Sequence, residues 1–434
     1  MKERIRTRLH HRYFWLVASA FVIYRVLLDI LFWQGQSLFQ HLIGEMDRVP
    51  WGVFAVSYVL HLIILFVGPI TVDRTSEFMY FIFLTMIYVP ISSIYVMTHS
   101  DIEGYATITS AFFIYALFVE NSHIRFSFPE IRIGKYYLVL YFMLASFLLA
   151  LISKLDVNTK FLSLLDVYTV RAQYKENTNR FVGYIISWTG NVLNPWLFAR
   201  GLYKKNIILV LAGIAISYYL YSITGFKSIF FSLLFVSIVF VLIRYFQQYY
   251  QLVFIGLIDV MLMLFVVGNL FQSHLIMILT SLFARRVLMT PGILYWHYVD
   301  FMKTHSLDFF AQHMPVSFFL QSHYEKPIPY IIGEYLGDAG THVNANIFAD
   351  SVVNLGYGGI FFILALLLFL SVLADSVSHN KHKMIVYSIL IMPLFSMVNT
   401  SIFTALLNHG FLFALLIIYL LPAEHYDSFS PAST

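Results

Sequence analysis

Apolar runs of about 20 residues recur along almost the whole chain, and this feature constrains the fold most strongly. A run of that length is what an α-helix needs to cross the hydrocarbon core of a bilayer. Charged residues make up only 12% of the 434 residues, against about 25% in a typical soluble domain. Inside a bilayer, helices satisfy all their backbone polar groups within one segment. The sequence therefore predicts an all-α, polytopic helical integral membrane protein.

The hydropathy pattern predicts about twelve transmembrane helices in a single membrane domain, residues 1–434. We place these spans at residues 13–33, 51–71, 77–97, 105–120, 136–153, 181–200, 206–224, 227–243, 251–271, 347–373, 384–404 and 406–422. The chain shows no internal repeat, which counts mildly against a secondary transporter.

Basic residues are unevenly distributed between the segments that connect these spans. With the N-terminus inside, Lys and Arg residues in the inner connections outnumber those in the short outer ones, as the positive-inside rule requires. An even number of spans then returns the C-terminus to the cytoplasm. Two long connections lie outside in this topology, an outer loop at 154–180 and a large extracytoplasmic loop at 272–346 between helices 9 and 10.

The large outer loop carries its own helix signals. Thr290 followed by Pro291 predicts a helix start, with Thr290 as the N-cap and Pro291 at the first helical position. Apolar and aromatic residues at helical spacing over 293–302 predict an amphipathic helix that lies at the membrane interface. A second aromatic run follows at 309–319.

A polar, Asn-rich segment at residues 340–346 runs directly into a long apolar stretch. Polar side chains at the end of a span are costly unless they have partners or a function. His342 is a candidate general base because imidazole titrates near neutral pH. Asp350, one turn into the predicted span, is the alternative base. Asn344 and Asn346 can either bind hydroxyl groups of a substrate or cap the backbone of the following helix.

Five cationic residues in the outer segments are candidates for binding an anionic substrate: Arg285, Arg286, Lys227, Arg171 and Arg180. Paired guanidinium groups can hold a phosphate or pyrophosphate through several hydrogen bonds. The alternative for the arginine pair is an anchor that touches lipid headgroups, and the alternative for Lys227 is a side chain that extends to the interface. The alternative for Arg171 and Arg180 is that both side chains are solvated.

Several polar residues inside the predicted spans have structural explanations. Arg25 and Asp29 are four residues apart, so they lie on one helix face and can form an ion pair. A kink is predicted in the sixth span at Asn191, Asn194 and Pro195. The side chains there can form hydrogen bonds with backbone groups that the kink leaves without a helical partner.

Three segments together resemble bacterial O-antigen polymerases and related oligosaccharide repeat-unit polymerases, a group related to the O-antigen ligases. These segments are Thr224–Ser228, Arg285–Tyr295 and Gly340–Gly359. Such polymerases have a short Gly-x-Lys/Arg-Ser/Thr turn that faces the lipid-linked substrate, and Lys227 occupies the matching position. The related ligases have a histidine directly followed by Asn at the corner of the last block, whereas here Val343 separates His342 from Asn344.

The resemblance implies a GT-C-like glycosyltransferase of the bacterial cytoplasmic (inner) membrane. It would join undecaprenyl-pyrophosphate-linked oligosaccharide repeat units into an O-antigen or capsule-type polysaccharide on the outer face. The expected partners are the lipid-linked substrates, membrane lipids and possible accessory proteins, namely a chain-length regulator and a flippase. The expected reaction inverts the anomeric centre without a metal or cofactor, since pyrophosphate is already a good leaving group.

Two other functions remain open from the sequence, a flippase or exporter of lipid-linked oligosaccharide and an O-antigen ligase. A metal-dependent transferase is a weaker alternative, because Glu45 and Asp47 could bind a divalent cation but lie in a short loop. The sequence contains no Walker A motif, no Gly-rich dinucleotide loop and no zinc motif. The absence of cysteine excludes disulfides and thiolate chemistry, and nothing indicates a nucleic-acid partner.

Overall fold

A computed structural model provides the structure of the chain. It describes residues 12–38, 50–98, 101–129, 139, 142–147, 166–246, 249–337 and 340–422. Glu45, Asp47 and most of the predicted span 136–153 lie outside the described residues. The chain forms two compact units. Unit 1 comprises residues 1–124, 248–371 and 397–402, and unit 2 comprises residues 125–247, 372–396 and 403–434.

The described residues form helices and contain no strand. In chain order the helices are α1 (Arg12–Leu38), α2 (Trp51–Val67), α3 (Thr75–Thr98), α4 (Ile102–Asn121), α5 (Asp166–Asn177), α6 (180–203), α7 (Ile207–Thr224), α8 (Lys227–Phe246), α9 (Tyr250–Leu270), α10 (His274–Thr304), α11 (Ile328–Tyr335), α12 (Ile347–Leu355), α13 (Tyr357–Ser378), α14 (Lys383–Met397), α15 (Ile402–Leu407) and α16 (Phe411–Leu420).

Nine helical segments among the described residues are long and apolar enough to cross a membrane. They are α1, α3, α4, α7, α8, α9, α10, α13 and the segment Ile402–Leu420, which contains α15 and α16. Two further apolar helices, α2 and α14, are shorter. The expected polytopic helical membrane protein is thus confirmed. Twelve spans, the orientation and the outer position of 154–180 and 272–346 stay predictions.

Unit 1 contains a buried polar network where α1 packs against α3. The Arg25 Nε donates to Asp29 Oδ1 at 3.2 Å, which confirms the predicted ion pair. Arg25 also donates to the Ser57 hydroxyl and to the Ser92 carbonyl, both at 2.8 Å. The Tyr58 hydroxyl donates to the other Asp29 oxygen at 2.6 Å. Because both charged groups are hydrogen-bonded to protein, this network stabilises the packing of three helices.

The helix α10 differs from the sequence prediction in two ways. Its residues 280–289 form a π-helix that continues into the α-helix Thr290–Thr304, so Thr290 is helical (φ −54°, ψ −42°) and is not an N-cap. Its hydroxyl instead donates to the Arg285 carbonyl at 2.8 Å. The predicted interfacial helix is wrong as well, because most of Thr290–Thr304 is buried against α3 and α12. A Cβ atom on Gly292 would lie 2.6 Å from the backbone carbonyl of Pro90, so glycine permits this close packing.

The predicted continuous span 347–373 is also wrong, because it consists of two helices. The first helix, α12, ends at Gly356, whose backbone angles (φ 61°, ψ −152°) are accessible to glycine at little cost. The next helix, α13, begins directly at Tyr357. A span of continuous hydropathy can hide such a break, since glycine changes the backbone direction without adding polarity. The short α12 carries most of the candidate site.

The helix α6 of unit 2 is irregular where the sequence predicts a kink in the sixth span. Residues Thr189–Leu193 form a π-helical turn inside α6, and Asn194 follows it directly. The Asn194 amide donates to the Gly213 carbonyl at 3.0 Å and to the Ser217 hydroxyl at 2.8 Å. The amide therefore ties α6 to α7, and its role is structural.

Candidate functional site

The start of α12 is fixed by a buried asparagine. The Asn346 Oδ1 accepts hydrogen bonds from the backbone N–H groups of Phe348 and Ala349, both at 3.0 Å. Its Nδ2 donates to the Pro291 carbonyl on α10 at 2.9 Å. Asn346 is fully buried and serves as an N-cap that also joins two helices. Of the two roles expected from the sequence, capping is the one that the structure shows.

The second turn of α12 presents a carboxylate to a histidine that the sequence analysis missed. Asp350 Oδ1 lies 3.3 Å from His313 Nε2. The other ring nitrogen, Nδ1, lies 3.3 Å from the Ser401 hydroxyl. The carboxylate and the hydroxyl thus contact the two different nitrogens of one imidazole ring, an arrangement that can accept and hold a proton.

The environment of this pair combines burial with an incomplete set of hydrogen bonds. Asp350 is 7% exposed, and its Oδ2 is buried without a hydrogen-bond partner among the described residues. Burial lowers the pKa of His313, but the Asp350 carboxylate, with a smaller contribution from Asp308, raises it above its ordinary value. A buried carboxylate oxygen without a hydrogen-bond partner calls for an explanation. A hydrogen bond from a hydroxyl group of a bound ligand would be one.

The segment that carries His313 is clamped onto α12 in a strained conformation. Phe309 and Phe310 both have positive φ, 53° and 60°. Two hydrogen bonds to Asn354 hold them there, from the Phe309 N–H to the backbone carbonyl at 3.1 Å and from the Phe310 N–H to Oδ1 at 2.7 Å. The Asn354 Nδ2 donates to the Asp350 carbonyl at 2.7 Å. Strained non-glycine residues held in place by their surroundings are typical of functional sites.

A second acidic residue lies on the same segment. Asp308 is 2% exposed, and its Oδ1 accepts from the Ser322 hydroxyl at 2.6 Å and lies 3.8 Å from His323 Nδ1. Its Oδ2 is buried without a hydrogen-bond partner in the part of the chain that the structure describes. Asp308 therefore adds negative charge beside His313 and helps to set its pKa.

The two other polar residues of the block lie at the surface. His342 is exposed, and its ring packs edge-on against Tyr330 with 4.8 Å between the ring centroids. Asn344 is exposed as well. The following helix orients Asp350 toward His313, so the structure pairs the carboxylate with a histidine other than His342.

In unit 2, one predicted cation contacts the predicted glycine turn. Both Arg171 Nε and Nη2 donate to the Gly225 carbonyl at 3.2 Å, and the guanidinium lies 5.6 Å from the centroid of the Phe226 ring. Gly225 has φ 66°, which explains the glycine of this tight turn. Lys227 begins α8 directly after the turn and is half-buried. Among the described residues we find no hydrogen bond or ion pair for its ammonium group.

The remaining predicted cations lie on α6 and α10. Arg180 is exposed at the first position of the helix Arg180–Trp188. Arg285 and Arg286 lie in the π-helical part of α10, where Arg285 is half-buried and donates to the Ser281 hydroxyl at 3.1 Å, and Arg286 is exposed. The described residues contain no group of three His, Asp or Glu side chains that could hold a metal ion.

Sequence reasoning missed His313, Ser401 and Asp308 because their partners are distant in the chain. Ser401 is separated from His313 by 88 positions, and no local pattern links the two. Asn354 lies in the segment Gly340–Gly359, but its function as a clamp depends on the fold. Comparison of the chain with protein-family models, curated proteins and solved structures gives no match. The resemblance to the repeat-unit polymerases therefore rests on the sequence motifs themselves.

Proposed function

We propose that this protein is a lipid-linked oligosaccharide repeat-unit polymerase of a bacterial cytoplasmic membrane, in which Asp350 is the general base. The observation that carries the proposal is the Asp350–His313–Ser401 arrangement, whose carboxylate lies in the block Gly340–Gly359 that resembles these polymerases. A partly buried carboxylate beside an imidazole is a suitable acceptor for the proton of a sugar hydroxyl. His342, whose ring is exposed, is the alternative base.

The proposed reaction is a single displacement at the anomeric carbon of the donor. The acceptor hydroxyl oxygen forms the new bond to this carbon, and its proton passes to Asp350. The bond between the carbon and the pyrophosphate oxygen breaks, and the electron pair leaves with the lipid pyrophosphate. One displacement inverts the anomeric configuration.

The cations supply the second requirement, which is stabilisation of the charge on the leaving group. Lys227 and Arg171, together at the Gly225 turn of unit 2, are proposed as cationic contacts to the lipid-linked substrate. Arg285 and Arg286 are proposed as further contacts to the diphosphate. Asn344 is a candidate hydrogen-bond partner for a sugar, whereas Asn346 acts by positioning α12.

The test uses the full-length protein in vesicles with lipid-linked repeat units isolated from source cells that lack this protein. Asp350→Asn should slow polymer formation by roughly 10²–10⁴-fold, the usual contribution of a general base. Glu103→Gln, an equivalent change at an exposed carboxylate, should leave the rate unchanged. If His342→Ala abolishes polymer and Asp350→Asn does not, the base is His342.

A cellular measurement separates the proposal from its two rivals. Cells with the Asp350→Asn protein should accumulate single repeat units on lipid in the outer leaflet. Accumulation in the inner leaflet would instead indicate a flippase. Polymer of normal length that stays on its lipid carrier would indicate a ligase.

A further inference from the structure

The segment between Asp308 and α11 exposes an unusual amount of apolar surface. Phe318 is 70% exposed, Phe319 is 86% exposed and Leu320 is 48% exposed. Met314 and Phe309 in the same segment are also exposed. Exposed aromatic side chains in such a cluster mark an interaction surface.

The composition of this segment points to a lipid partner. Residues 309–324 contain no Asp, Glu, Lys or Arg. A loop that is solvated on all sides normally carries charge, whereas aromatic residues without charge are enriched where a protein meets the bilayer interface.

The backbone N–H groups of residues 317–320 form hydrogen bonds within the segment. The N–H of Ser317 donates to the His313 carbonyl at 2.9 Å, and the N–H of Phe318 donates to the Pro315 carbonyl at 3.1 Å. The N–H groups of Phe319 and Leu320 both donate to the Val316 carbonyl, at 2.9 and 3.0 Å. Pro315 has no N–H to satisfy. Donors from 317 to 320 are therefore satisfied within the segment, as contact with hydrocarbon requires.

Two polar side chains at the start of the segment contact other parts of the protein. The Gln312 amide donates to the Ser322 hydroxyl at 3.1 Å and to the Lys326 carbonyl at 2.9 Å. His313 faces Asp350 and Ser401. Gln312 and His313 are thus held by protein, while Phe318, Phe319 and Leu320 are exposed.

We propose that residues 314–320 insert into the acyl-chain side of the lipid–water interface and hold His313 at the level of the lipid headgroups. Phe318, Phe319 and Leu320 supply the inserted side chains. This lipid contact goes beyond the proposed function and does not depend on it. If both hold, the contact keeps the Asp350–His313 pair at the depth where the phosphates of a lipid-linked substrate lie.

The chain contains no cysteine, so a single introduced cysteine can be labelled at a chosen position. The full-length variants Phe318→Cys and Phe319→Cys carry a nitroxide label in vesicles of phosphatidylcholine and phosphatidylglycerol. Collision with oxygen, which concentrates in hydrocarbon, is compared with collision with a water-soluble nickel chelate. Leu264→Cys, exposed on the candidate span α9, is the lipid reference, and the exposed Glu325→Cys is the water reference.

Labels at 318 and 319 should behave like the label at 264, with oxygen collision dominant. Behaviour like that of the label at 325 would show a solvated loop and overturn the proposal. Low collision with both reagents would show that protein covers the patch, either another segment of the chain or a second copy, and would also overturn it. Loss of the polymerase proposal would leave this measurement unaffected, so the two can fail separately.

Discussion

Among individual residues, His313 has the most testable electrostatic role. Its pKa in the folded protein lies above the ordinary value of 6.5 because of the nearby Asp350 carboxylate, despite the opposing effect of burial. The folded state therefore holds the proton more tightly than the unfolded state. The resulting stabilisation is complete below about pH 6.5, the usual unfolded value, and is lost as pH rises through the folded-state pKa.

We expect His313→Gln to lower the unfolding temperature most at acidic pH, with a smaller difference at alkaline pH. Thermal unfolding of the detergent-solubilised protein across this pH range measures the effect. His342→Gln is the matched control, since that exposed ring faces Tyr330. A His313→Gln difference that is constant with pH would contradict a charged pair with Asp350.

At the glycine turn, Arg171 and Lys227 should act mainly in substrate binding. Arg171→Ala and Lys227→Ala are each expected to raise the KM for the lipid-linked donor and to lower the rate of polymer formation. Arg171→Lys should restore only part of the loss, because an ammonium group cannot replace a fork of guanidinium donors. Lys175→Ala is the control, since Lys175 is exposed on the same helix. An equal effect of Lys175→Ala would indicate a general surface-charge effect.

At the level of helices, the packing of α10 depends on Gly292. A Cβ at this position would lie 2.6 Å from backbone atoms of Pro90, and backbone cannot move as a flexible side chain can. We expect Gly292→Ala to destabilise the protein by about 1–3 kcal/mol, the usual cost of overpacking. Gly256→Ala is the matched control, because nothing lies within 4 Å of that Cβ position. It should stabilise α9 by about 0.5–1 kcal/mol, and thermal unfolding of both variants gives the comparison.

Helices were predictable from the sequence where hydropathy alone determines them. The apolar runs indicated most of the long helices correctly, and the spacing of Arg25 and Asp29 indicated their ion pair. The break at Gly356 was missed because the glycine lies in a continuous apolar run, and the buried position of Thr290–Thr304 was missed because it depends on close contact between α10 and α3. Apolar side chains at helical spacing have the same pattern whether they face lipid or protein, so the sequence could not distinguish these environments.

The candidate site was only partly predictable for a related reason. Asp350 and Asn346 lie in a block whose polarity stands out against the surrounding apolar sequence. His313, the partner of Asp350, and Ser401, which contacts His313, lie in other segments, and folding brings them together. A single sequence shows candidate acids and bases, but it does not show which of them share a proton.

For the whole molecule, the orientation in the membrane decides whether the candidate site can act on the outer face. The distribution of Lys and Arg predicts that residues 272–346 lie outside and that the connection between α13 and α14 lies in the cytoplasm. That connection contains Lys381, and α14 begins at Lys383, whereas residues 309–324 before α11 contain no Asp, Glu, Lys or Arg.

The prediction is tested with Glu325→Cys and His379→Cys, both at exposed positions of a chain without native cysteine. In intact cells, a membrane-impermeant maleimide should label Glu325→Cys and should label His379→Cys only after the membrane is permeabilised. The physical basis is the cost of moving clustered basic residues across the membrane during insertion, which the inner position avoids. The reverse pattern would place the Asp350–His313 pair on the cytoplasmic side, where it could not join repeat units that have already been moved to the outer leaflet.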